Sequence, residues 1–583
     1  MDIFSVFSLL GGLALFLYGM NFMGDGLKKL SGGQLESILG KLTSTRFKGF
    51  LLGFIVTAII QSSSATTVML VGFVNSGIMK LSQTISIIMG ANIGTTVTSW
   101  LLSLTGLTGD SFIIKIFKPS SFTPILAFIG FLMSGMSKKE SRKNIGLILL
   151  GFAILMYGME AMSGSMDGLK DSEAFKQVLV MFENPVLAIL SGLLLTAIIQ
   201  SSSASIGILQ ALSITGAIPV AVALPIILGQ NIGTTITPIL SAISGNTNAK
   251  RVAISCLYIK IIGVVIFCVL FYALHSIVDF AFMHTNATVF SIAVIHTSFN
   301  VISTIILIPF CRLIEKLAIK TFPDTQAVVQ DGLDTLDDRF LTLPQFAIEK
   351  SKELLCEMTK ASKDALMMAL DMTLSYDKQT AVKIRDIETR VDIMEDKIGT
   401  YLVKLASQNL SERDSNEVSK FLHIIGDVER ISDHAVNIVK VSEEISEKKM
   451  EFSENAKHEM KVMSDALREI LTLSVEAFET KNLALAKKIE PLEQVIDKLK
   501  YKMKANHITR LQDSKCTIEQ GFVYSDFITN CERVADHCSN IGVCLLEIAN
   551  HTLDTHEYLH HVKETGENSF FEQYEDYKTK YRI

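Results

Sequence analysis

The sequence predicts an all-α protein of two unlike halves. The first is a polytopic membrane region with inverted repeats and two re-entrant helical hairpins; the second is a cytoplasmic helical bundle. Three observations carry this expectation. Apolar stretches of about 20 residues, enough to cross a bilayer core of about 30 Å, recur through residues 1–310 and stop after Phe310. Three sequence blocks recur within that region at one constant offset. Beyond it, apolar residues return at helical spacing between charged ones, the pattern of an amphipathic bundle.

Composition separates the halves. Residues 1–310 carry 17 Lys+Arg and 11 Asp+Glu, whereas 311–583 carry 37 and 49, in a chain of net charge −6 and mean hydropathy +0.36. A single soluble enzyme domain does not divide this way. The acidic balance, and a tail without a basic stripe interleaved with aromatics, argue for no nucleic acid partner. The eight cysteines lack CxxC pairing and fit reduced thiols. Met1–Met23 has no basic leader and further apolar stretches follow, so a retained span is expected.

Seven stretches are long enough to cross: about 3–23, 82–105, 121–137, 144–163, 220–243, 252–275 and 287–310. Two more, about 47–77 and 185–218, are interrupted midway by QSSS. Each is too long for one span and too short for two. A hairpin with QSSS at its tip is therefore expected, because broken backbone is tolerated only inside protein or beside a water-filled cavity. If hairpins return to their own side, one face collects Lys28, Lys29, Lys41, Arg46, Lys48, Lys80, Lys138, Lys139, Arg142, Lys143, Lys250 and Arg251. The other face receives Lys115, Lys118, Lys170 and Lys176. The positive-inside bias then puts residues 311–583 in the cytoplasm and the N-terminus outside a plasma (inner) membrane. Lys260 is left within a span, where a charge is functional by default unless it snorkels or the boundary slips.

The repeated blocks are LGGLALFLYGM at 10–20 with LLGFAILMYGM at 149–159, TAIIQSSSA at 57–65 and 196–204, and GANIGTTVT at 90–98 with GQNIGTTIT at 229–237. All share an offset of 139. Three full spans per copy, an odd number, force the second copy to enter the bilayer inverted. Inverted repeats place a permeation site near the midplane between broken elements.

The residue types at the breaks indicate the cargo. A half-helix starting near Ser62 or Ser201 aims free N–H groups and the positive end of its dipole at the cavity, which suits an anion. The serines add hydroxyl donors, and Gln61 and Gln200 add amides. Two such tips can surround a tetrahedral oxyanion, but its charge at low dielectric calls for accompanying cations. Asn92, Thr95, Thr96 and Thr98, with Asn231, Thr234, Thr235 and Thr237, offer neutral oxygens, and Gly94 and Gly233 are expected to loosen the helix so that carbonyls join them. That is the membrane solution for sodium and not for a transition metal. Ser, Thr and Gly also serve close helix packing. His296 and Asn300, at i,i+4 in the last span, suit helix–helix bonding as well as ligand contact. Tyr18 and Tyr157 read as interfacial or packing aromatics.

The duplicated QSSS and GxNIGTT blocks resemble those of the sodium-dependent phosphate cotransporters, in the bacterial branch related to the type II carriers, over about residues 1–310. The resemblance implies sodium-driven uptake of inorganic phosphate. It implies phosphate at Gln61, Ser62, Ser63, Ser64, Gln200, Ser201, Ser202 and Ser203, and sodium at Asn92, Thr95, Thr96, Asn231, Thr234 and Thr235.

After an expected linker, helical periodicity predicts six long helices near 345–376, 378–409, 412–447, 453–480, 482–512 and 515–551, in two three-helix units. GDVERISDHAVNI at 426–438 and TNCERVADHCSNI at 529–541 share E-R-x-x-D-H-x-x-N-I. Glu429 with Asp433, and Glu532 with Asp536, put like charges at i,i+4, a repulsion of a few tenths of a kcal/mol. Either a bridging cation or Arg430 and Arg533 can relieve it. His434 and His537 read as ligands or as ordinary polar positions, and Cys531, Cys538 and Cys544 as core thiols.

This half resembles the PhoU family of phosphate regulators over about 345–551. The resemblance implies a divalent or transition metal at Glu429, Asp433, Glu532 and Asp536, although Asn530 replaces the acidic Asp427 in the second copy. The expected organisation is repeat 1 over 1–143, repeat 2 plus a final span over 144–310, a linker over 311–344, the PhoU-like domain over 345–551 and a polar tail over 552–583. The expected activity is sodium–phosphate symport regulated through the cytoplasmic domain and a cytoplasmic partner protein. The alternatives are a membrane-anchored phosphate sensor without transport and, more remotely, a tail metallohydrolase, for which no nucleophile–base arrangement is present.

Overall fold

A computed structural model describes residues 3–31, 45–106, 119–137, 139–166, 177, 179–323, 336–408, 410–550 and 568–583. Lys41, Lys115, Lys118, Lys138, Lys170 and Lys176 of the charge-bias count, linker residues 324–335 and tail residues 552–567 lie outside the described residues. The chain divides into two compact units, Met1–Val329 and Gln330–Ile583. Among the described residues both are helical, apart from an isolated bridge between Pro219 and Asn286.

In the first unit, one repeat comprises α1 (Ile3–Ser31), α2 (Arg46–Ile60), α3 (Ser63–Asn75), α4 (Leu81–Gly94), α5 (Thr96–Ser103) and α6 (Pro119–Met136). The other comprises α7 (Glu140–Met166), α8 (Pro185–Ile199), α9 (Ser202–Ser213), α10 (Val220–Gly233), α11 (Ile236–Ala242) and α12 (Thr247–Val278). A last span, α13 (Val289–Leu307), and α14 (Cys311–Thr321) follow. Among the described residues six helical stretches are long and apolar enough to cross a membrane. The seventh expected span is α6, whose 18 residues reach about 27 Å at 1.5 Å per residue, just short of the roughly 30 Å core. Residues 311–321, expected as linker, instead form α14. Its buried Cys311, Ile314 and Ala318 pack it against α4 and α12.

The glycines of the first repeated block explain how the two copies meet. A Cβ on Gly19 would lie 2.3 Å from Leu155 N, and one on Gly158 would lie 2.3 Å from Phe16 N. Gly12 meets Met162 and Gly151 meets Met23 in the same way. As numbers rise along α1, those of its partners fall along α7, so the two helices are antiparallel and the second copy is inverted. Tyr18 and Tyr157 face outward, 58% and 42% exposed, as an interfacial aromatic requires.

Inside each copy the hairpin packs on the helix carrying GxNIGTT. A Cβ on Gly53 or Gly90 would lie 2.0 Å from Ile87 O or 1.9 Å from Phe50 O, and one on Gly192 or Gly229 would lie 2.1 Å from Ile226 O or 1.9 Å from Ile189 O. Gly94 and Gly233 belong to the same contact, 2.6 Å from Phe54 O and Leu193 O. They admit a neighbouring helix at a point where their own is interrupted: α4 gives way to α5 after Gly94 and α10 to α11 after Gly233, where the Thr234 and Thr235 N–H groups both turn to Ile232 O, although Thr95 N still donates to Ala91 O at 3.1 Å.

The second unit contains α15 (Pro344–Asp371), α16 (Lys378–Ala406), α17 (Glu412–Glu447), α18 (Glu454–Thr480), α19 (Ile489–Gln512), α20 (Ile518–Asn550) and α21 (Asn568–Lys580). Asp377, Ser411 and Ser453 cap α16, α17 and α18 by accepting from Thr380, Asp414 and Ala456 N–H groups. Helices α15–α17 pack together, as do α18–α20, and α17 packs on α20. There the buried Lys420 donates to Glu547 at 2.6 Å. α21, within the expected polar tail, docks on α19, where Lys498 donates to Tyr574.

Candidate transport site

At both tips QSSS separates two helices, as expected. Gln61 ends α2 and Gln200 ends α8 in the left-handed region, at φ 60° and 59°. That conformation costs a non-glycine residue roughly 1–2 kcal/mol. Ser62 and Ser201 cap the next helix by accepting from Ala65 N at 3.1 Å and Ala204 N at 3.2 Å. The hydroxyls of Ser63, Ser64, Ser202 and Ser203 have no partner among the described residues. They begin α3 and α9, where the first-turn N–H groups that the caps do not take are also free. Each tip helix packs on the other repeat, α3 against α11 and α9 against α5, and Gln210 Nε2 donates to Ser99 O at 3.0 Å.

Identical backbones carry different side-chain states. In the first copy Gln61 is buried and its Oε1 accepts from Thr98 Oγ1 at 2.7 Å, while Thr57 Oγ1 donates to Thr66 Oγ1 at 3.0 Å. In the second, Gln200 is exposed. The hydroxyls of Thr237, Thr196 and Ser205, which match Thr98, Thr57 and Thr66, are buried without partners.

The threonines of GxNIGTT donate to carbonyls of their own helix. Thr95 bonds Ala91 O at 3.1 Å, Thr96 bonds Ile93 O at 2.7 Å, Thr234 bonds Asn231 O at 2.6 Å and Thr235 bonds Ile232 O at 2.8 Å. Each hydroxyl proton is thereby used, which leaves oxygen lone pairs for a hard cation. Asn92 is buried and has no hydrogen-bond partner among the described residues, whereas Asn231 Oδ1 accepts from Lys260 Nζ at 2.9 Å. Lys260 is 5% exposed, so it neither snorkels nor sits at a slipped boundary. His296 Nδ1 lies 2.9 Å from Ser99 Oγ, an interhelical contact and one of the two roles open to it. Asn300 Oδ1 is 3.3 Å from Lys260 Nζ.

In the second unit, Glu388, Asp392 and Asp433 bring ligand oxygens within 4.8 Å of one another. Burial and the carboxylates of Asp392 and Asp433 push the Glu388 carboxyl up, and burial and Asp433 do the same for Asp392. Burial, Asp433 and Asp392 push the Glu429 carboxyl up to about 7. This crowding of like charge fits a cation. Sequence reasoning passed over Glu388 and Asp392, although their E-x-x-x-D spacing matches that of Glu429 and Asp433, because they lie outside the repeated block. In the second copy Lys500 donates to Glu532 at 2.6 Å and Arg533 lies 4.0 Å from Asp536, so a lysine stands where a metal would. His537 Nδ1 lies 2.8 Å from Asp427 Oδ1, and His434 Nδ1 lies 2.8 Å from Asn530 Oδ1. These histidines therefore pair across the repeat and are not directed at the carboxylate cluster.

Antiparallel repeats, two broken hairpins and free donors at their tips define a membrane transport protein of the inverted-repeat class. The chain belongs to the Na+/Pi-cotransporter family, whose model matches residues 15–164 and again 154–303. The PhoU domain model matches 355–442 and 460–544. "Uncharacterized protein YqeW" of Bacillus subtilis is 30% identical over 306 residues, 52% of this chain and 94% of that protein. "Putative inorganic phosphate export protein YjbB" of Salmonella typhimurium is 22% identical over 563 residues, covering 94% of this chain and 99% of the relative. Rat "Sodium-dependent phosphate transport protein 2A" is 36% identical over 99 residues, 16% of this chain and 15% of that one. The crystal structure of PhoU from Pseudomonas aeruginosa aligns with a TM-score of 0.33 and 18% identity, over 35% of this chain and 97% of that one. Family membership points to phosphate transport, and neither matched family is one of enzymes.

Proposed function

We propose that this chain is a sodium-coupled symporter of inorganic phosphate that works by alternating access across the plasma membrane, with its PhoU-like unit in the cytoplasm regulating flux. Phosphate lies between the tips, held by Gln61 to Ser64 and Gln200 to Ser203, with sodium at Asn92, Thr95 and Thr96, and the matching oxygens of Asn231, Thr234 and Thr235 form a second cation position. The observation that supports this most is the unequal pair of tips. One is latched by Thr98–Gln61 and Thr57–Thr66, and the other has the same groups unpaired. Two equivalent sites in opposite states are what a carrier alternating between two faces requires. In the second unit, Glu388, Asp392 and Asp433, with Glu429 beside them, would hold a metal ion that neutralises their crowded carboxylates.

Direction follows from the gradients, since a carrier runs down the net driving force of all its cargo. A tenfold sodium gradient contributes about 1.4 kcal/mol per ion and a 100 mV potential about 2.3 kcal/mol per charge. Purified protein in proteoliposomes, supplied with radiolabelled phosphate under sodium, lithium, potassium or proton gradients, tests the reading. Sodium-specific flux in the direction of the sodium gradient is expected. Equal flux in all media refutes the coupling, and phosphate binding without flux makes the protein a sensor.

A further inference from the structure

Lys260 is a buried charge of the membrane unit held by neutral oxygens. It is buried in the apolar helix α12, and no carboxylate lies within ion-pair distance of it among the described residues. Its Nζ is held between two amide oxygens, Asn231 Oδ1 at 2.9 Å and Asn300 Oδ1 at 3.3 Å. Both amides are oriented by their own helices. Asn231 Nδ2 donates to Ile227 O and Asn300 Nδ2 to His296 O, each at 2.9 Å, so both oxygens are committed to the cation. A buried, unpaired ammonium is costly unless something anionic offsets it. An oxyanion carried in the same unit does so.

The first repeat lacks this arrangement. Residue 121, 139 positions before Lys260, is an exposed serine in the first turn of α6, and Asn92, the counterpart of Asn231, has no partner among the described residues. We propose that the Lys260 ammonium is a tethered cation. In the second repeat it fills the position that in the first is left to a mobile alkali ion, so each phosphate travels with one sodium fewer than two equivalent motifs would take. Neutral oxygens of this kind accept an ammonium or a hard metal cation alike, and a charge fixed to α12 compensates the anion without being released. The inference rests on the sodium–phosphate reading for its cargo, but not for its test.

Lys260→Ser, which offers a neutral oxygen in place of the ammonium, and Lys260→Met are compared with Lys260→Arg and the unsubstituted full-length protein. Thermal unfolding in detergent is followed while sodium replaces choline at constant ionic strength, and charge moved per phosphate is measured in proteoliposomes. The Ser variant is expected to gain sodium-dependent stabilisation beyond that of the parent, and its charge per phosphate to rise by one where flux is measurable; Lys260→Arg should keep the parental values. Lys260→Met, with no added oxygen, should show a smaller gain. Equal sodium dependence in Lys260→Ser and the parent overturns the inference, as does recovery of neither neutral variant in any cation medium. A parent that carries no phosphate, beside a Ser variant that gains a sodium response, would overturn the symport reading and leave the tethered cation standing.

Discussion

Replacing Thr98 by Val and, separately, Thr237 by Val should push the carrier in opposite directions. Thr98 Oγ1 donates to Gln61 Oε1 in a buried bond of 2.7 Å. Deleting the hydroxyl removes about 1 kcal/mol from this state, which reduces its population relative to the opposite state about fivefold. Thr237 Oγ1 is buried and unpartnered. Removing it relieves a desolvation penalty of about 1–3 kcal/mol here and deletes the bond to Gln200 that the mirrored state would form. The two variants should therefore differ by at least about 2 kcal/mol, a roughly thirtyfold change in the ratio of states. Single reporters at Ser63→Cys or Ser202→Cys, with the eight native cysteines replaced, can be labelled in sealed vesicles by an impermeant maleimide applied from either side. In this state Ser63 is partly exposed and Ser202 is buried, so Thr98→Val should slow labelling at position 63 and speed it at 202, and Thr237→Val should do the reverse. Movement of both variants in one direction, or no change in either, would refute the latch.

Ser63→Ala and Ser202→Ala should each weaken phosphate binding at least tenfold by equilibrium dialysis, because a hydrogen bond to a charged ligand contributes about 1.5 kcal/mol or more. Gly53→Ala and Gly192→Ala should lower the melting temperature to a similar degree, since each Cβ would press on a backbone carbonyl at 2.0 or 2.1 Å and overpacking costs about 1–3 kcal/mol; unequal losses would mean the copies pack differently. Glu388→Gln and Asp433→Asn should lower bound metal by elemental analysis, and Glu532→Gln should not. Glu429 titrates at about 7 in the fold against an ordinary 4.5, so the metal-free folded chain holds the extra proton between those values. Its stability should fall as pH rises through that window, while metal affinity rises with the same deprotonation. Melting curves of the full-length protein at pH 5 and pH 8, with chelator or manganese, measure both effects.

The six long tail helices and both hairpin breaks were legible because periodicity and a repeated polar interruption are local signals. Gly94 and Gly233 were read for loosened backbone alone, although each also admits a neighbouring carbonyl, of Phe54 or Leu193, which no spacing in the chain displays. Glu388 and Asp392 join Asp433 from a different helix, a proximity that no spacing in the chain displays. The difference between the tips was beyond sequence altogether. TAIIQSSSA is written identically at 57–65 and 196–204, so the unequal states of Gln61 and Gln200 arise from tertiary environment alone. Lys260 could be flagged from its apolar surroundings, but its amide partners, 29 and 40 positions away, could not.

The seam between α1 and α7 has the self-complementarity of an isologous dimer, because each glycine contact on one side is returned by its duplicate on the other. Half of this unit could form the same seam with a second molecule only if the bilayer received it in both orientations. Joining the halves in one polypeptide supplies both orientations from a single chain. A change that turned over a single half would leave the glycines intact and give them nothing to meet.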